Sequence, residues 1–379
     1  MAEPIQPDRG ARWPILLLMA AAPVISVFVV LYLVLVYIPK INKIEQNRDT
    51  MLKAVGLDRP VSNRLDARYT DADGDLVADP PSDPAKFVRP AVFRLAAYLG
   101  GSARRDVAAG MYEPLRLKLQ ELLGVPVEMA DFYDSHTQLR ALRDGELHAA
   151  MLNTGSVPMA VNAAGFVPLF KEAGDDGTGF HQMEIIVPAT SPVRSVGDLK
   201  GGEIIFTDPS SNSGFKAAVL LLRSEFKLEP ETGYLFRYSG SHRESIRIIA
   251  EKLLRGERYA AAVANDLLKN MIANGAVRTD QVRSIYKSYN FPNGTFGIAS
   301  NLDPDLSRKI RVGLKDFAWT FSPAPPASAP TTTQAAEEAL DLLEPPGPRS
   351  FRLLPVDYKA DFEHIRRIDD QKGELHKLD

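Results

Sequence analysis

The chain has 379 residues, no cysteine and a formal net charge of −3. The lack of cysteine excludes disulfides, thiolate metal sites and cysteine nucleophiles, and the nearly balanced charge argues against bulk electrostatic binding to nucleic acid. An apolar fraction of 45% and a charged fraction of 25% are ordinary for a globular protein long enough for one anchored two-lobed domain or two smaller domains.

A short tail, residues 1–14, precedes an uncharged apolar run at residues 15–38. At 1.5 Å per residue this run spans roughly 36 Å as a helix, enough to cross a bilayer. No small-residue cleavage site follows it, so the run predicts a retained single-pass transmembrane anchor; a cleaved secretory signal is the alternative. Basic residues flank both ends, and charge therefore does not set the orientation.

Residues 39–90 are interpreted as a stalk and linker. Alternating carboxylates at residues 71–79 resemble a calcium loop, but an EF-hand needs a glutamate at its twelfth position, where Ser82 stands. The run therefore favours a solvated acidic turn, with calcium as the alternative, and no metal site is assigned.

From residue 91 onward, short apolar segments suited to strands alternate with amphipathic segments suited to helices. This alternation predicts a mostly parallel, doubly wound α/β arrangement. Strands are predicted at residues 91–99, 125–132, 147–152, 167–171, 183–188, 203–207, 234–238, 259–263, 282–288 and 294–299, and helices at residues 114–123, 137–143, 157–164, 215–226, 246–254 and 303–317.

The most informative stretch is residues 203–226, which reads as strand, polar turn and helix. Its turn carries Ser211, Asn212 and Ser213, whose side chains donate hydrogen bonds without net charge. The first turn of a helix also leaves N–H groups unpaired at the positive end of the dipole. This combination suits a small oxyanion, and an ordinary N-cap is the alternative.

Two similar polar turns follow other strands, and a further acidic residue begins another helix. Ligands of open α/β sheets collect at the carboxyl ends of strands, so these turns indicate one shared anion site that needs no cofactor. A histidine at such a turn is a credible donor toward an oxyanion. The candidate ligand-binding residues are Asn153, Thr154, Ser156, Ser211, Asn212, Ser213, Ser241, His242, Arg243 and Asp266.

The amino-acid sequence of several stretches resembles that of the substrate-binding proteins of ABC transporters for phosphonate, phosphite and related phosphorus oxyanions. The stretches are LRDGELHAAMLNTGSVPMAVNAAG, SVGDLKGGEIIFTDPSSNSGF, YSGSHRESI and AAAVANDLL, with RSFRLLPVDYKADFEHIRRID similar to the family's closing segment. The resemblance covers about residues 91–370. It implies a type 2 periplasmic-binding fold in which two lobes close on the ligand.

The resemblance implies that the phosphorus group is held by the turn at Ser211, Asn212 and Ser213, by the turn after the strand at 147–152, and by His242. It also implies an ABC permease as partner and a folded domain on the extracytoplasmic side of the cell membrane. Lobe one is expected at residues 91–184 plus 290–379, with a proline-rich insertion at about 322–348, and lobe two at residues 185–289.

Two residues depart from the family's pattern. Leu152 stands where the family often has an aromatic residue that packs on the ligand, and Arg243 stands where an acidic residue commonly binds an amino group. The reversed charge at Arg243 disfavours aminoalkyl phosphonates. A plainer or more anionic ligand is therefore expected.

The expected fold is an α/β, two-lobed type 2 periplasmic-binding-protein-like fold with an N-terminal transmembrane helix. The expected function is that of a membrane-anchored, extracytoplasmic solute-binding protein that captures phosphonate, phosphite or phosphate for an ABC importer. A ligand-sensing module of a membrane-associated signalling complex is the alternative. A hydrolase with a triad of Ser213, His242 and Asp266 is disfavoured because Ser213 lacks a G-x-S-x-G elbow, so no enzyme activity is expected.

Overall fold

A computed structural model of the chain describes Tyr32, Leu35 and residues 65–97, 105–132, 135–174, 177–209, 211–251, 258–322 and 349–370. The described residues from 65 onward belong to one compact unit, Leu52–Asp379. Within the described part, no helix has the length and apolar character needed to cross a membrane. The anchor predicted at 15–38, apart from Tyr32 and Leu35, and most of the predicted insertion at 322–348 lie outside the described residues.

The described strands form two separate sheets. The strands are β1 Phe93–Ala97, β2 Val127–Ala130, β3 Ala149–Leu152, β4 Phe166–Ala173, β5 Phe180–Pro188, β6 Glu203–Phe206, β7 Leu235–Tyr238, β8 Tyr259–Ala264, β9 Val282–Pro292, β10 Thr295–Ala299, β11 Ala318–Phe321 and β12 Arg349–Pro355. Sheet I has the order β11-β12-β4-β10-β3-β1-β2, and sheet II has the order β7-β6-β8-β5-β9.

Helices cover or connect these strands. They are α1 Arg105–Leu123, α2 Ser135–Arg143, α3 Val157–Ala164, α4 Ala217–Ser224, α5 His242–Glu251, α6 Asn265–Ala273, α7 Pro304–Gly313, α8 Tyr358–Asp361 and α9 Glu363–Asp370. Two 3₁₀ turns lie at Pro84–Lys86 and Val196–Leu199, and a π-helical turn, Asn212–Lys216, leads directly into α4.

The chain crosses between the sheets twice, from β4 to β5 and back from β9 to β10. The prediction of a mostly parallel arrangement is wrong, because both sheets are mixed. Among the described strands, parallel pairing is confined to β1 with β2 and β3, and to β6 with β7 and β8. The strands that carry the chain across the boundary pair antiparallel: β5 with β9, and β10 with β3 and β4.

Each sheet has its own apolar core. The core of sheet I includes Phe93, Leu115 and Phe296, and that of sheet II includes Ile205 and Ile246. Burial of such side chains supplies roughly 1.5–3 kcal/mol each relative to exposure. The two cores give each sheet a stable body on which polar turns can be positioned.

Two elements differ from the predicted boundaries for identifiable reasons. Helix α1 begins at Arg105 and contains Pro114, the residue at which the sequence predicts its start. Proline usually begins or breaks a helix, but here Leu115 and Leu119 are fully buried on the sheet I core, and this packing offsets the lost N–H bond. Helix α7 ends at Gly313, four residues before the predicted end at residue 317, and strand β11 follows at Ala318, where the sequence analysis predicts no element.

Part of the stretch interpreted as stalk and linker packs against α3 and the segment after β10. Val77 and Ala78 are buried, and Val88 forms an isolated parallel bridge with Leu302. Asp66 N–H also donates to Asn162 O at 2.8 Å. Residues 65–90 therefore join the folded body directly.

Candidate functional site

The turn after β6 is shaped by a close approach between Thr207 and Gly214. Thr207 N–H donates to Gly214 O at 3.1 Å, and a Cβ added at Gly214 would overlap Thr207 Oγ1. Gly214 N–H in turn donates to Ser211 Oγ at 3.0 Å, which caps the π-helical turn. Glycine at 214 is therefore required for the turn to close over the end of β6.

His242 begins α5 and faces this turn with a defined tautomer. Its Nδ1 accepts the N–H of Ala264 at 3.0 Å, so the proton of the neutral ring lies on Nε2, 3.3 Å from Ser211 Oγ. Burial, and then the nearby His181, lowers the pKa of His242 to about 4, although Asp266 and Asp208 act in the opposite direction. At neutral pH His242 is therefore a donor without net charge.

The two bonds received by Ser211 determine what its hydroxyl can do. Its oxygen accepts from Gly214 N–H and from His242 Nε2–H, which uses both lone pairs of the hydroxyl. The hydroxyl proton is left to be donated to a third group. Ser211 thus has an O–H donor of the kind that binds an oxyanion.

Ser213 pairs with a different histidine. Its Oγ lies 3.2 Å from His181 Nε2, and His181 Nδ1 lies 2.9 Å from Asn293 Oδ1. His181 is on β5, just after the first crossing between the sheets, and Asn293 is in the second crossing. The buried ring of His181 therefore connects both crossings to the polar turn.

Asn212 lies between these two serines and is 3% exposed. Neither its Nδ2 nor its Oδ1 has a hydrogen-bond partner among the described residues. An unsatisfied buried polar group costs about 1–3 kcal/mol, so a donor and an acceptor left together at this position need an explanation.

The turn after β3 meets the turn after β6. Asn153 Oδ1 accepts from Ser156 N–H at 2.9 Å, and Thr154 Oγ1 donates to the O atom of Pro292, the last residue of β9, at 2.6 Å. Lys216 Nζ donates to Gly155 O at 2.8 Å. This last bond joins a turn of sheet I to a turn of sheet II, so the structure brings these two sequence-predicted turns together.

The remaining predicted residues lie at helix starts around this centre. Ser241 Oγ accepts from Glu244 N–H at 3.1 Å, a capping bond for α5. Asp266 Oδ1 accepts from Leu267 N–H at 2.9 Å in the first turn of α6. Arg243 is half-buried in the first turn of α5, next to His242.

The hydrolase triad considered from the sequence does not form. Ser213 contacts His181, whereas His242 contacts Ser211. The Nδ1 of His242 already accepts a backbone N–H, so Asp266 cannot orient this ring as the acid of a triad does. The geometry suits hydrogen bonding to a ligand.

Sequence reasoning missed His181, Asn293 and Lys216. His181 lies 32 positions before Ser213 and Asn293 lies 112 positions after His181, so no local spacing connects them. Of the three, Lys216 could have been found most easily from the sequence, because it is a basic residue directly after the polar turn, at the start of a helix that suits an anion.

The acidic run before the folded domain forms a compact turn. Asp71, Asp73 and Asp75 place carboxylate oxygens within 4.8 Å of one another. Asp71 accepts the N–H groups of Gly74 and Leu76 at 2.8 and 3.1 Å. These backbone bonds account for the shape of the loop.

Comparisons with known proteins agree with this fold. The family model described as "ABC transporter, phosphonate, periplasmic substrate-binding protein" matches residues 102–344. The Phosphate-import protein PhnD of Mycolicibacterium smegmatis is 24% identical over 213 residues, which are 53% of this chain and 64% of that protein. The chain thus spans less than two thirds of the length of this curated relative.

Two solved structures show the same fold at low identity. One is a binding protein component of an ABC phosphonate transporter from Pseudomonas aeruginosa, with 14% identity, a TM-score of 0.52 and coverage of 74% of this chain and 87% of that chain. The other is PhnD1 from Prochlorococcus marinus in complex with methylphosphonate, also with 14% identity and a TM-score of 0.52, covering 74% of this chain and 98% of that chain.

Proposed function

The chain belongs to the periplasmic substrate-binding proteins of phosphonate ABC transporters, and we propose that it captures a phosphorus oxyanion between the turns after β3 and β6 for delivery to an ABC permease. The observation that carries the proposal is the buried amide of Asn212, with no partner among the described residues. It lies between Ser211 and Ser213, each of which contacts a buried or half-buried histidine.

A tetrahedral oxyanion matches the hydrogen-bonding groups of these turns. Ser211 O–H and the Asn212 amide supply donors from sheet II, and the helix that follows Ser156 adds its positive end from sheet I. Charge-assisted bonds to an oxyanion are worth about 1.5–3 kcal/mol each. Ligand contacts are assigned to Asn153, Thr154, Ser156, Ser211, Asn212, Ser213 and His242, with Ser241, Arg243 and Asp266 around them.

The two sheets are assigned to two lobes that close on the ligand. The crossings from β4 to β5 and from β9 to β10 are the hinges. Lys216 Nζ on Gly155 O is a contact of the closed form, since it joins a turn of each sheet.

The ligand is assigned as a phosphonate, phosphite or phosphate without an amino group. Arg243, in the first turn of α5, would repel the ammonium of 2-aminoethylphosphonate. A preference for that compound over methylphosphonate, phosphite and phosphate would contradict this assignment.

The folded domain is placed outside the cytoplasm and held at the membrane by residues 15–38. Capture before import requires the external side, and the uncharged run is long enough to span a bilayer. Membrane fractionation followed by alkaline extraction should retain the full-length protein and release a variant that lacks residues 1–38.

A thermal-shift panel on the full-length protein tests ligand capture. Methylphosphonate, phosphite and phosphate at millimolar concentration should raise Tm, because a ligand that binds only the folded form stabilises it by mass action. Sulfate, arginine and 2-aminoethylphosphonate should have smaller effects. Asn212→Ala should lose the response, whereas Ser224→Ala, on the outer part of α4, should keep it. A flat response to every phosphorus oxyanion would contradict the proposed function.

A further inference from the structure

We propose that this site takes the singly protonated form of its phosphorus oxyanion, and that His181 is the positioning residue that makes this selection by turning Ser213 into a hydrogen-bond acceptor. The inference rests on the proposed function and concerns the same site. Three observations support it: the two hydrogen bonds of the His181 ring, the two hydrogen bonds that Ser211 accepts, and the side-chain oxygen of Asn212, which has no partner among the described residues.

The first step is the tautomer of His181. Its Nδ1 faces Asn293 Oδ1 at 2.9 Å. A carbonyl oxygen only accepts, so in the neutral ring the proton lies on Nδ1 and the Nε2 lone pair is free to accept. The only group 3.2 Å from Nε2 in the described contacts is Ser213 Oγ. Ser213 therefore donates its proton to His181.

The second step is the contrast between the two serines. Ser211 Oγ receives two N–H donors and keeps its own proton for a ligand. Ser213 donates its proton to His181, and its oxygen lone pairs remain able to accept from a ligand. Two hydroxyls separated by one residue thus present opposite polarity, one donor and one acceptor.

The third step is that Ser213 is not the only acceptor. Asn212 Oδ1 is buried and has no partner among the described residues. The lone pairs of Ser213 Oγ and Asn212 Oδ1 would repel the oxygens of a fully deprotonated oxyanion. A P–OH group would instead donate a hydrogen bond to one of these two atoms. A ligand that carries one acidic proton satisfies donors and acceptors together; sulfate, which has none near neutral pH, does not.

The surrounding charges do not replace this selection. His242 is neutral at physiological pH, since burial lowers its pKa to about 4. The negative charges of Asp208 and Asp266 are close enough to His242 to raise its pKa. The same charges disfavour a second negative charge on the ligand. The charged groups on the elements around His181 are Asp208 and Lys216 in the turn, Arg243 on α5, Asp266 on α6, and the Glu184–Lys287 pair on β5 and β9.

Isothermal titration of the full-length protein with methylphosphonate between pH 5.5 and pH 9 tests the inference. The apparent affinity should fall by about tenfold per pH unit above the ligand's second ionisation, because only the monoanion binds. Sulfate should bind at least tenfold more weakly than methylphosphonate at pH 6. In His181→Phe the Ser213 hydroxyl no longer donates to a histidine and can donate to the ligand. The dependence of affinity on pH should therefore flatten, and the discrimination against sulfate should shrink.

His364→Phe is the matched control, since His364 stacks on Tyr289 at 4.4 Å and belongs to none of the candidate contacts. It should keep the wild-type pH slope. A purely structural role for His181 would weaken all ligands alike and leave the slope unchanged; that outcome overturns the inference. A wild-type affinity that does not change across the ligand's ionisation also overturns it while leaving the proposed function intact. Absence of methylphosphonate binding at every pH refutes the proposed function itself.

Discussion

Ser211 Oγ lies 3.3 Å from His242 Nε2 and also accepts the N–H of Gly214 at 3.0 Å. The Nδ1 of the same histidine is held by Ala264 N–H. A hydroxyl that receives two donors must direct its own proton elsewhere. This relationship makes Ser211 a fixed donor in a turn that otherwise resembles an ordinary helix cap.

Ser211→Ala should therefore weaken methylphosphonate binding by about tenfold to a hundredfold, which corresponds to the roughly 1.5–3 kcal/mol of a hydrogen bond to a charged group. Titration calorimetry measures the loss. Ser224→Ala is the control, because the Ser224 hydroxyl bonds only its own helix at Leu220 O. Equal affinities for Ser211→Ala and the wild type would remove Ser211 from the site.

Gly214→Ala should lower Tm and abolish ligand binding. A Cβ at this position would overlap Oγ1 of Thr207, which is a buried residue. Overpacking of this kind destabilises the folded state by about 1–3 kcal/mol. Gly174→Ala is the matched change, since nothing lies within 4 Å of its added Cβ, and it should leave Tm nearly unchanged. Similar melting temperatures for the two variants would contradict the close packing of the turn.

Lys216→Met should weaken ligand binding and increase the radius of gyration of the liganded protein in small-angle X-ray scattering. The reason is that Lys216 Nζ holds Gly155 O at 2.8 Å across the two sheets. Lys309→Met, at an exposed position on α7, should change neither quantity. A compact liganded form of Lys216→Met with wild-type affinity would show that this bond does not hold the two sheets together.

Local patterns in the sequence were sufficient for most elements of the fold. Helix α3 begins and ends at the predicted residues, and the polar turns follow β3, β6 and β7 as expected. Pairing direction was not predictable from local pattern, because the antiparallel β5–β9 and β10–β4 pairs depend on where the chain crosses between sheets. Strand β11 was missed because its four residues gain their stability from contacts distant in sequence, such as Trp319 stacked on Phe351 at 5.2 Å.

The candidate site was predictable in its turns but not in its connections. The polar residues at Ser211 and Ser213 stand out because they follow a buried strand and precede an amphipathic helix. The sequence gives no reason to pair Ser213 with His181 instead of His242, since that choice depends on the three-dimensional position of β5. The orphaned amide of Asn212 likewise becomes visible only when its burial is known.

The pKa of His242 leads to a pH-dependent contribution to stability. The folded chain holds this pKa at about 4, against 6.5 for an ordinary histidine, mainly because of burial. Between these values the unfolded chain binds a proton that the folded chain does not, so stability rises with pH and is lost as pH falls through this window. The free energy of unfolding should decrease by on the order of 1–2 kcal/mol more in the wild type than in His242→Gln between pH 7 and pH 5. Identical decreases in the two proteins would contradict the lowered pKa.

The ion pair between Lys171 and Asp361 should be important for stability. Its atoms are 2.6 Å apart, its side chains are only 10% and 14% exposed, and it joins β4 to the C-terminal segment. Lys171→Met leaves Asp361 without its cation and should cost roughly 3 kcal/mol, as for other buried pairs that lose one partner. Chemical denaturation measures this cost. Asp280→Asn, which breaks the exposed pair with Arg278, should change stability by less than about 0.5 kcal/mol; equal effects would refute the role of burial.

The most direct measurement is titration calorimetry of the full-length protein and of the double variant Ser211→Ala/Ser213→Ala with methylphosphonate at pH 6. The account predicts saturable binding of one ligand per chain in the wild type and a loss of affinity of at least a hundredfold in the double variant, with Ser224→Ala unchanged. Absence of binding by the wild type, or undiminished binding by the double variant, would contradict capture of a phosphorus oxyanion at this turn.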